Sequence, residues 1–264
     1  MPATLVEDLS SELKTHFNIT KIHAIKNGGQ KKVFIVTKDG VKCALKLFQN
    51  FGKRDIRELE IYRKFKQVDG IPKIISIENF SKDKIVFEEY IDGSNLNDVL
   101  GEYAKNSEKI KDLIIKICLI LKPIWEDNKI HRDIKPNNIM IRNNGKPVVI
   151  DFGIAQDLAG TVYTTNFIPN SWDFASPEQL LGQRDLIDYR SDFFSIGVIG
   201  YVLYYQHKPF GASQEIVREK FAARDTSYTT DANCKLNYFF KECLGFSPAD
   251  RPRDLPTLLQ TLRW

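Results

Sequence analysis

Apolar and polar residues alternate in short runs over the first ninety positions and then give way to longer periods. "VFIVT" (33–37) and "VKCALKLF" (41–48) are β-branched, apolar runs parted by "KDG". Asp-Gly supplies the positive-φ positions of a tight turn, so the pattern predicts a β-hairpin. In "KRDIRELEIYRKFK" (53–66), Ile56, Leu59, Tyr62 and Phe65 recur at helical spacing among charges. That predicts an amphipathic helix with those four on its inner stripe. "IPKIISIENF" (71–80) and "KIVFEEYI" (84–91) return to strand texture around a polar turn. Beyond residue 92 helical patterns take over, at Glu108 to Trp125 and at the nearly uncharged Asp192 to Tyr205. The Val-Val-Ile run of "KPVVIDFG" predicts a short buried strand ending at a charged residue. The expected class is α+β: a β-rich part with one main helix over about 1–91, then a mostly helical part over about 92–264.

Composition narrows this picture. The chain has 264 residues, 42% hydrophobic and 11% aromatic, enough for a dense core. Single cores stop growing at roughly 250–300 residues, which favours two lobes. Cys43, Cys118, Cys234 and Cys243 form no CxxC pair and show no His/Cys ligand spacing. Neither a disulfide framework nor a zinc site is expected, and a reducing cytoplasm is the expected location. "MPATLVEDLSSELKTHF" carries acids and lacks a long apolar core, so no export signal is expected. The longest uncharged run, Phe193 to His207, falls short of the roughly 20 apolar residues of a membrane span. A net charge of +4 and a pI of 8.7 are compatible with anionic ligands but below what a nucleic-acid binder needs.

The densest chemistry lies in "HRDIKPNNIM" (131–140). Asp133 can orient or accept a hydroxyl proton, Lys135 can neutralise phosphate charge, and Asn138 offers an amide oxygen to a hard cation such as Mg²⁺. Pro136 keeps these groups on a loop. Thirteen residues past Asn138, Asp151 in "DFG" supplies a second oxygen donor. Such a set suits phosphoryl transfer, which depends on positioning and charge neutralisation.

These motifs resemble those of eukaryotic-type (Hanks-type) serine/threonine protein kinases. "HRDIKPNNIM" is similar to the catalytic loop and "DFG" to the metal-binding loop of that family. The resemblance implies a bilobal kinase fold with ATP and Mg²⁺ as cofactors, Asp133 in the catalytic-base place, and Asn138 and Asp151 in the Mg²⁺ places. "CALK" (43–46) resembles the strand motif whose lysine, here Lys46, meets the ATP phosphates. Glu58 in "RELEIY" then takes the place of its helix partner; Glu60 competes, but points about 200° away. "VFEEYIDGSNL" (86–96) resembles the hinge, where backbone groups near Glu89 and Ile91 would bond adenine and Val33, Ala44 and Met140 would sandwich it. "SPE" (176–178) stands in the Ala-Pro-Glu place, with Arg251 as the partner of its glutamate, and Asp192 would hold the catalytic-loop backbone. Lys135 with Ser171 implies serine and threonine acceptors on protein substrates.

Two departures stand out. At the three places of the Gly-rich loop the chain has Lys26, Gly28 and Lys31, with Gly29 beside the surviving glycine to permit close approach to phosphate. Glu88 occupies the place behind adenine where a hydrophobic residue is usual; a buried carboxylate there needs a partner, or the hinge register is off by one. Arg132 and the acceptors Thr161, Tyr163, Thr164 and Thr165 suggest autophosphorylation through a transient homodimer. The competing readings are a non-catalytic kinase-fold scaffold and a small-molecule kinase of the aminoglycoside or choline type. Asn137 gives no support to an arginine-directed substrate preference.

Overall fold

The computed structural model describes residues 9–28, 31–48, 51–152, 156–157 and 172–264. The chain divides into two compact units, Met1–Lys66 with Pro72–Ile91 and Gln67–Ile71 with Asp92–Trp264.

The first unit contains helix α1 (Ser11–His16), strands β1 (Ile19–Gly28), β2 (Lys31–Lys38) and β3 (Val41–Phe48), helix α2 (Lys53–Lys64), and strands β4 (Ile74–Phe80) and β5 (Asp83–Glu89). The strands form one antiparallel sheet in the order β1-β2-β3-β5-β4. The expected hairpin is β2-β3: Lys38 pairs with Val41, and Asp39 (φ 50°) and Gly40 (φ 79°) take the two positive-φ positions. Period-2 alternation sorts side chains between two cores. Phe34, Val36, Cys43, Leu45, Ile85 and Phe87 pack with Leu13 and Phe17 around α1. Phe48 and Val86 pack with Leu59 of α2 on the opposite face. The inner stripe of α2 differs from expectation. Leu59, Ile61, Tyr62 and Phe65 are buried, but Ile56 is 45% exposed and Glu58 is buried instead. At 100° per residue Ile56 lies almost opposite Glu58, so whichever of them faces the sheet excludes the other.

The second unit is built on β6 (Gly93–Asn95), α3 (Ser107–Glu126), β7 (Lys129–Ile130), β8 (Ile139–Arg142), β9 (Pro147–Val149), β10 (Gln156–Asp157), α4 (Pro177–Leu180), α5 (Tyr189–Tyr205), α6 (Gln214–Ala222), α7 (Asn237–Cys243) and α8 (Leu255–Gln260). Small sheets β6-β8-β9 and β7-β10 lie among the helices. Gly93 is required where β6 meets β8: a Cβ there would lie 2.0 Å from the Ile141 carbonyl oxygen. Asn106 caps α3 by accepting from Lys109 N (3.0 Å), and Asp188 caps α5 by accepting from Arg190 N (2.8 Å). Every residue of α5 from Ser191 to Tyr204 is buried, as its nearly uncharged sequence predicts. Gly197 lets α5 approach the end of α7, since a Cβ would sit 2.8 Å from Cys243 Cβ and 2.9 Å from Leu244 Cδ2. Among the described residues no helix is long and apolar enough to cross a membrane.

Candidate active site

In the first unit, register brings charge to one face of the sheet. Lys46 pairs with Val33 on β2 and Val86 on β5, and Ala44 pairs with Glu88. Directly paired residues share a face, and so do residues two apart, so Val33, Ala44, Lys46 and Glu88 all face the α2 side. Lys46 and Glu88 are diagonal neighbours, within reach for long side chains. Lys46 Nζ lies 2.8 Å from Glu58 Oε1 and 2.7 Å from Glu88 Oε1. The Tyr62 hydroxyl donates to Glu58 Oε1 (3.0 Å), and the ammonium lies 5.0 Å from the Tyr62 ring centre. Lys46, Glu58, Glu88 and Tyr62 are all buried. Desolvation opposes the charge on Lys46, but Glu58 and then Glu88 outweigh it and hold its pKa well above the ordinary lysine value. Glu88 is therefore paired. Glu60 is exposed.

In the second unit the segment 131–138 is fixed by side chains from elsewhere. Asp192, in the first turn of α5, accepts from His131 N, Arg132 N and Trp125 Nε1, each at 2.9 Å. Gln179 Nε2 donates to the Arg132 carbonyl (3.0 Å). These bonds hold Arg132 at φ 68°, a conformation that costs a non-glycine residue about 1–2 kcal/mol. His131 is fully buried; its Nε2 is 3.3 Å from the Ile150 carbonyl oxygen, and its Nδ1 accepts from Asp133 N at 3.3 Å.

Asp133 then has well-defined neighbours. Its Oδ2 accepts from Lys135 Nζ (2.8 Å) and Asn138 Nδ2 (3.0 Å), and the same amide donates to the Asp133 carbonyl (2.8 Å). With its nitrogen so engaged, the Asn138 amide presents its oxygen to the other side. Ile150 N donates to the Asn138 carbonyl (2.9 Å), extending the β8-β9 pairing and setting Asp151 one residue beyond Asn138's partner. Asp151 is at φ 63°. Among the described residues no group of three or more His, Cys, Asp and Glu gathers as a metal cage. An amide oxygen and a carboxylate on adjoining segments suit Mg²⁺, which keeps waters and phosphate oxygens in most of its coordination sphere.

A family model for the protein kinase domain matches residues 19–261. The chain belongs to the protein kinase family. Its relatives are of the Hanks type. Among them, a probable serine/threonine-protein kinase of Corynebacterium efficiens is 31% identical over 71% of this chain and 30% of its own length. The probable serine/threonine-protein kinase PknB of Corynebacterium glutamicum is 29% identical over 78% of this chain and 34% of its own. The mitogen-activated protein kinase kinase SIPKK of tobacco is 31% identical over 69% of this chain and 52% of its own. The matched part of the chain spans at most about half the length of these curated relatives.

In this kinase domain the glutamate of "SPE" is tied down as strongly as any group. Glu178 makes a fork-to-fork pair with Arg251, at 2.7 Å (Nη1 to Oε1) and 2.8 Å (Nη2 to Oε2), and both side chains are essentially inaccessible. Arg251 also donates to the carbonyls of Gly245, Phe246 and Arg190, and Ser191 Oγ donates to Glu178. All five guanidinium N–H groups are thereby used.

The remaining positions are placed as follows. Glu89 ends β5, its N–H donating to the Lys73 carbonyl, and half-buried Ile91 closes the first unit. Met140, half-buried on β8, pairs with Asn95 and Val148. Gly28 pairs through its backbone with Lys31, so strand β2 begins two places before the predicted run at Val33. Gly29, Thr161, Tyr163, Thr164, Thr165 and Ser171 lie outside the described residues. Tyr62, Trp125, His131 and Gln179 were not anticipated. Trp125 and Gln179 act through contacts distant in sequence, Tyr62 through Glu58 one helical turn away, and a buried tyrosine or tryptophan needing a polar partner is the one general signal that points to the first two.

Proposed function

We propose that this protein, over residues 1–264 with an N-lobe of about 1–91 and a C-lobe of about 92–264, transfers the terminal phosphoryl group of ATP to serine and threonine hydroxyls of proteins in the cytoplasm. The observation that carries this reading is the Asp133 carboxylate. Lys135 and Asn138 occupy its Oδ2, and among the described residues none donates to Oδ1. Oδ1 can therefore accept the proton of an incoming hydroxyl and orient its oxygen for in-line attack. Lys135, beside it, neutralises charge on the phosphoryl group in transit. Lys46, held by Glu58, engages the other phosphates, while Val33, Ala44 and Met140 contact the adenine and the backbone at Glu89 and Ile91 bonds its edge. Gly28 and Gly29 allow the chain to approach phosphate closely. Asn138 and Asp151 would hold Mg²⁺, which when bound would lower the cost of the phosphate charge. Serine/threonine acceptors agree with the names of the relatives. Copies pairing transiently would phosphorylate one another at Thr161, Tyr163, Thr164 or Thr165.

The test is incubation with labelled Mg-ATP alone, with a mixed protein substrate, and with small hydroxylated acceptors such as choline. Label should enter serine and threonine of proteins, and the added phosphate mass should vanish in Asp133→Asn. Label on the small acceptors would move the assignment to a small-molecule kinase. Nucleotide binding without transfer would make the protein a scaffold.

A further inference from the structure

Gln179 does more than its own helix asks of it. Ser176-Pro177-Glu178-Gln179 is a capping box in which Gln179 Oε1 accepts from Ser176 N and from Ser176 Oγ, each at 3.0 Å. Such a box serves the helix it opens, and α4 is a single turn, Pro177–Leu180. The other end of the amide leaves that turn altogether. Nε2 donates to the Arg132 carbonyl (3.0 Å), 47 residues away in sequence. A backbone N–H donates and a carbonyl accepts, so Oε1 must face Ser176 and Nε2 must face Arg132. Gln179 is 3% exposed and Ser176 fully buried, which keeps bulk water from replacing a bond lost there.

The peptide that this bond grips is the one leading into Asp133. Asp192 accepts from His131 N and Arg132 N and so fixes the two planes upstream. The next plane is bounded by the Arg132 carbonyl and Asp133 N. Its N–H edge meets His131 Nδ1 at 3.3 Å, beyond the usual range, whereas its carbonyl edge meets Gln179 at 3.0 Å. It also follows Arg132 at φ 68°, a conformation that a residue with a side chain keeps when its surroundings hold it there. We propose that Gln179 is a positioning residue for phosphoryl transfer, its amide fixing the Arg132–Asp133 peptide plane and thereby the direction of the Asp133 carboxylate. Ser176 acts through Gln179 by anchoring the amide oxygen. This inference rests on the reading of Asp133 as the group that orients the acceptor hydroxyl.

The experiment is steady-state transfer to a protein acceptor by the full chain as wild type, Gln179→Met, Ser176→Ala, the double variant and Asp133→Asn. Calorimetric stoichiometry with a non-hydrolysable ATP analogue counts binding-competent sites, so that kcat is expressed per folded site and a loss of folded protein does not register. Methionine fills the space of glutamine without donor or acceptor, and kcat should fall about ten- to a hundredfold, more than the KM for nucleotide changes. Ser176→Ala weakens the anchor and leaves the donor to Arg132, so its fall should be smaller, about three- to tenfold. The double variant should match Gln179→Met, because the serine has nothing left to act through. A kcat within about twofold of wild type in Gln179→Met, or losses that multiply in the double variant, would overturn the proposal. Should Gln179→Met not fold, an unchanged kcat in Ser176→Ala overturns it instead. Transfer by Asp133→Asn at the wild-type rate would remove the role read for Asp133, and this inference with it. An inactive Asp133→Asn beside an unimpaired Gln179→Met would remove the positioning role alone.

Discussion

Replacing Arg251 with methionine should be among the most damaging single changes to stability in this chain. Methionine roughly matches the length of the arginine stem but supplies none of the five donors. Glu178, 1% exposed, would keep only the Ser191 hydroxyl among its partners described above. Removing one member of a buried ion pair costs about 3–5 kcal/mol, because the remaining charge stays buried without compensation. The carbonyls of Gly245, Phe246 and Arg190 would lose donors as well, which places the expected loss at the upper end. Native stabilities are about 5–15 kcal/mol, so a third or more of the total is at stake. At about 2–4 °C per kcal/mol, the melting temperature should fall by roughly 6–20 °C. Thermal and urea unfolding of wild type, Arg251→Met, Glu178→Leu and the double variant would measure this. The double variant leaves no charge behind and should be more stable than the sum of the single losses predicts. A loss below about 1 kcal/mol in Arg251→Met, or strict additivity in the cycle, would refute the reasoning.

Two further outcomes follow from packing and titration. Burial pushes Tyr204, Tyr205 and Tyr228 up to about 12, and the two carboxylates hold Lys46 above the ordinary lysine range. Groups raised in the folded state contribute stability that is complete below their unfolded values, near 10, and is lost as pH rises through the folded ones. Denaturant midpoints should therefore hold up to about pH 10 and decline steadily towards 12, with tyrosinate absorbance appearing late; a flat midpoint across that range would contradict the burial of these phenols. Gly197→Ala should lower stability by about 1–3 kcal/mol despite alanine's better helix propensity, because the new methyl meets Cys243 and Leu244 inside 3 Å. Gly101→Ala, where an added Cβ meets nothing within 4 Å, is the control, and equal melting temperatures for the two variants would show that α5 has room to move.

Much of the fold was legible because local chemistry and tertiary context agreed. The Asp39-Gly40 turn, the two runs it joins, and the nearly uncharged helix α5 carry signals that no later contact reverses. Strand β1 did not stand out, and its pairing explains why. Register shifts between Ile19 and Lys21 and between Ile22 and Ala24 place Ile19, Ile22 and Ile25 three apart, a spacing that disguises a strand. The inner stripe of α2 was misjudged at Ile56 for the opposite reason: an apolar count cannot see that a buried lysine across the way draws in Glu58. In the site, the candidate residues were those that motifs carry. Their supports were not, since Trp125 and Gln179 are ordinary core residues until the fold brings Asp192 and Arg132 to them, and Tyr62 reads as one more apolar position of its helix although Glu58 lies one turn away.

Two of the three bonds accepted by Asp192 come from the backbone just before Asp133, so the segment bearing that carboxylate does not stand by its own contacts alone. Its shape is borrowed from a helix some sixty residues downstream, whose buried length is locked among α3 and α7. A disturbance deep in that helix would thus reach the Asp133 carboxylate, and the Asn138 amide bonded to it, without touching either.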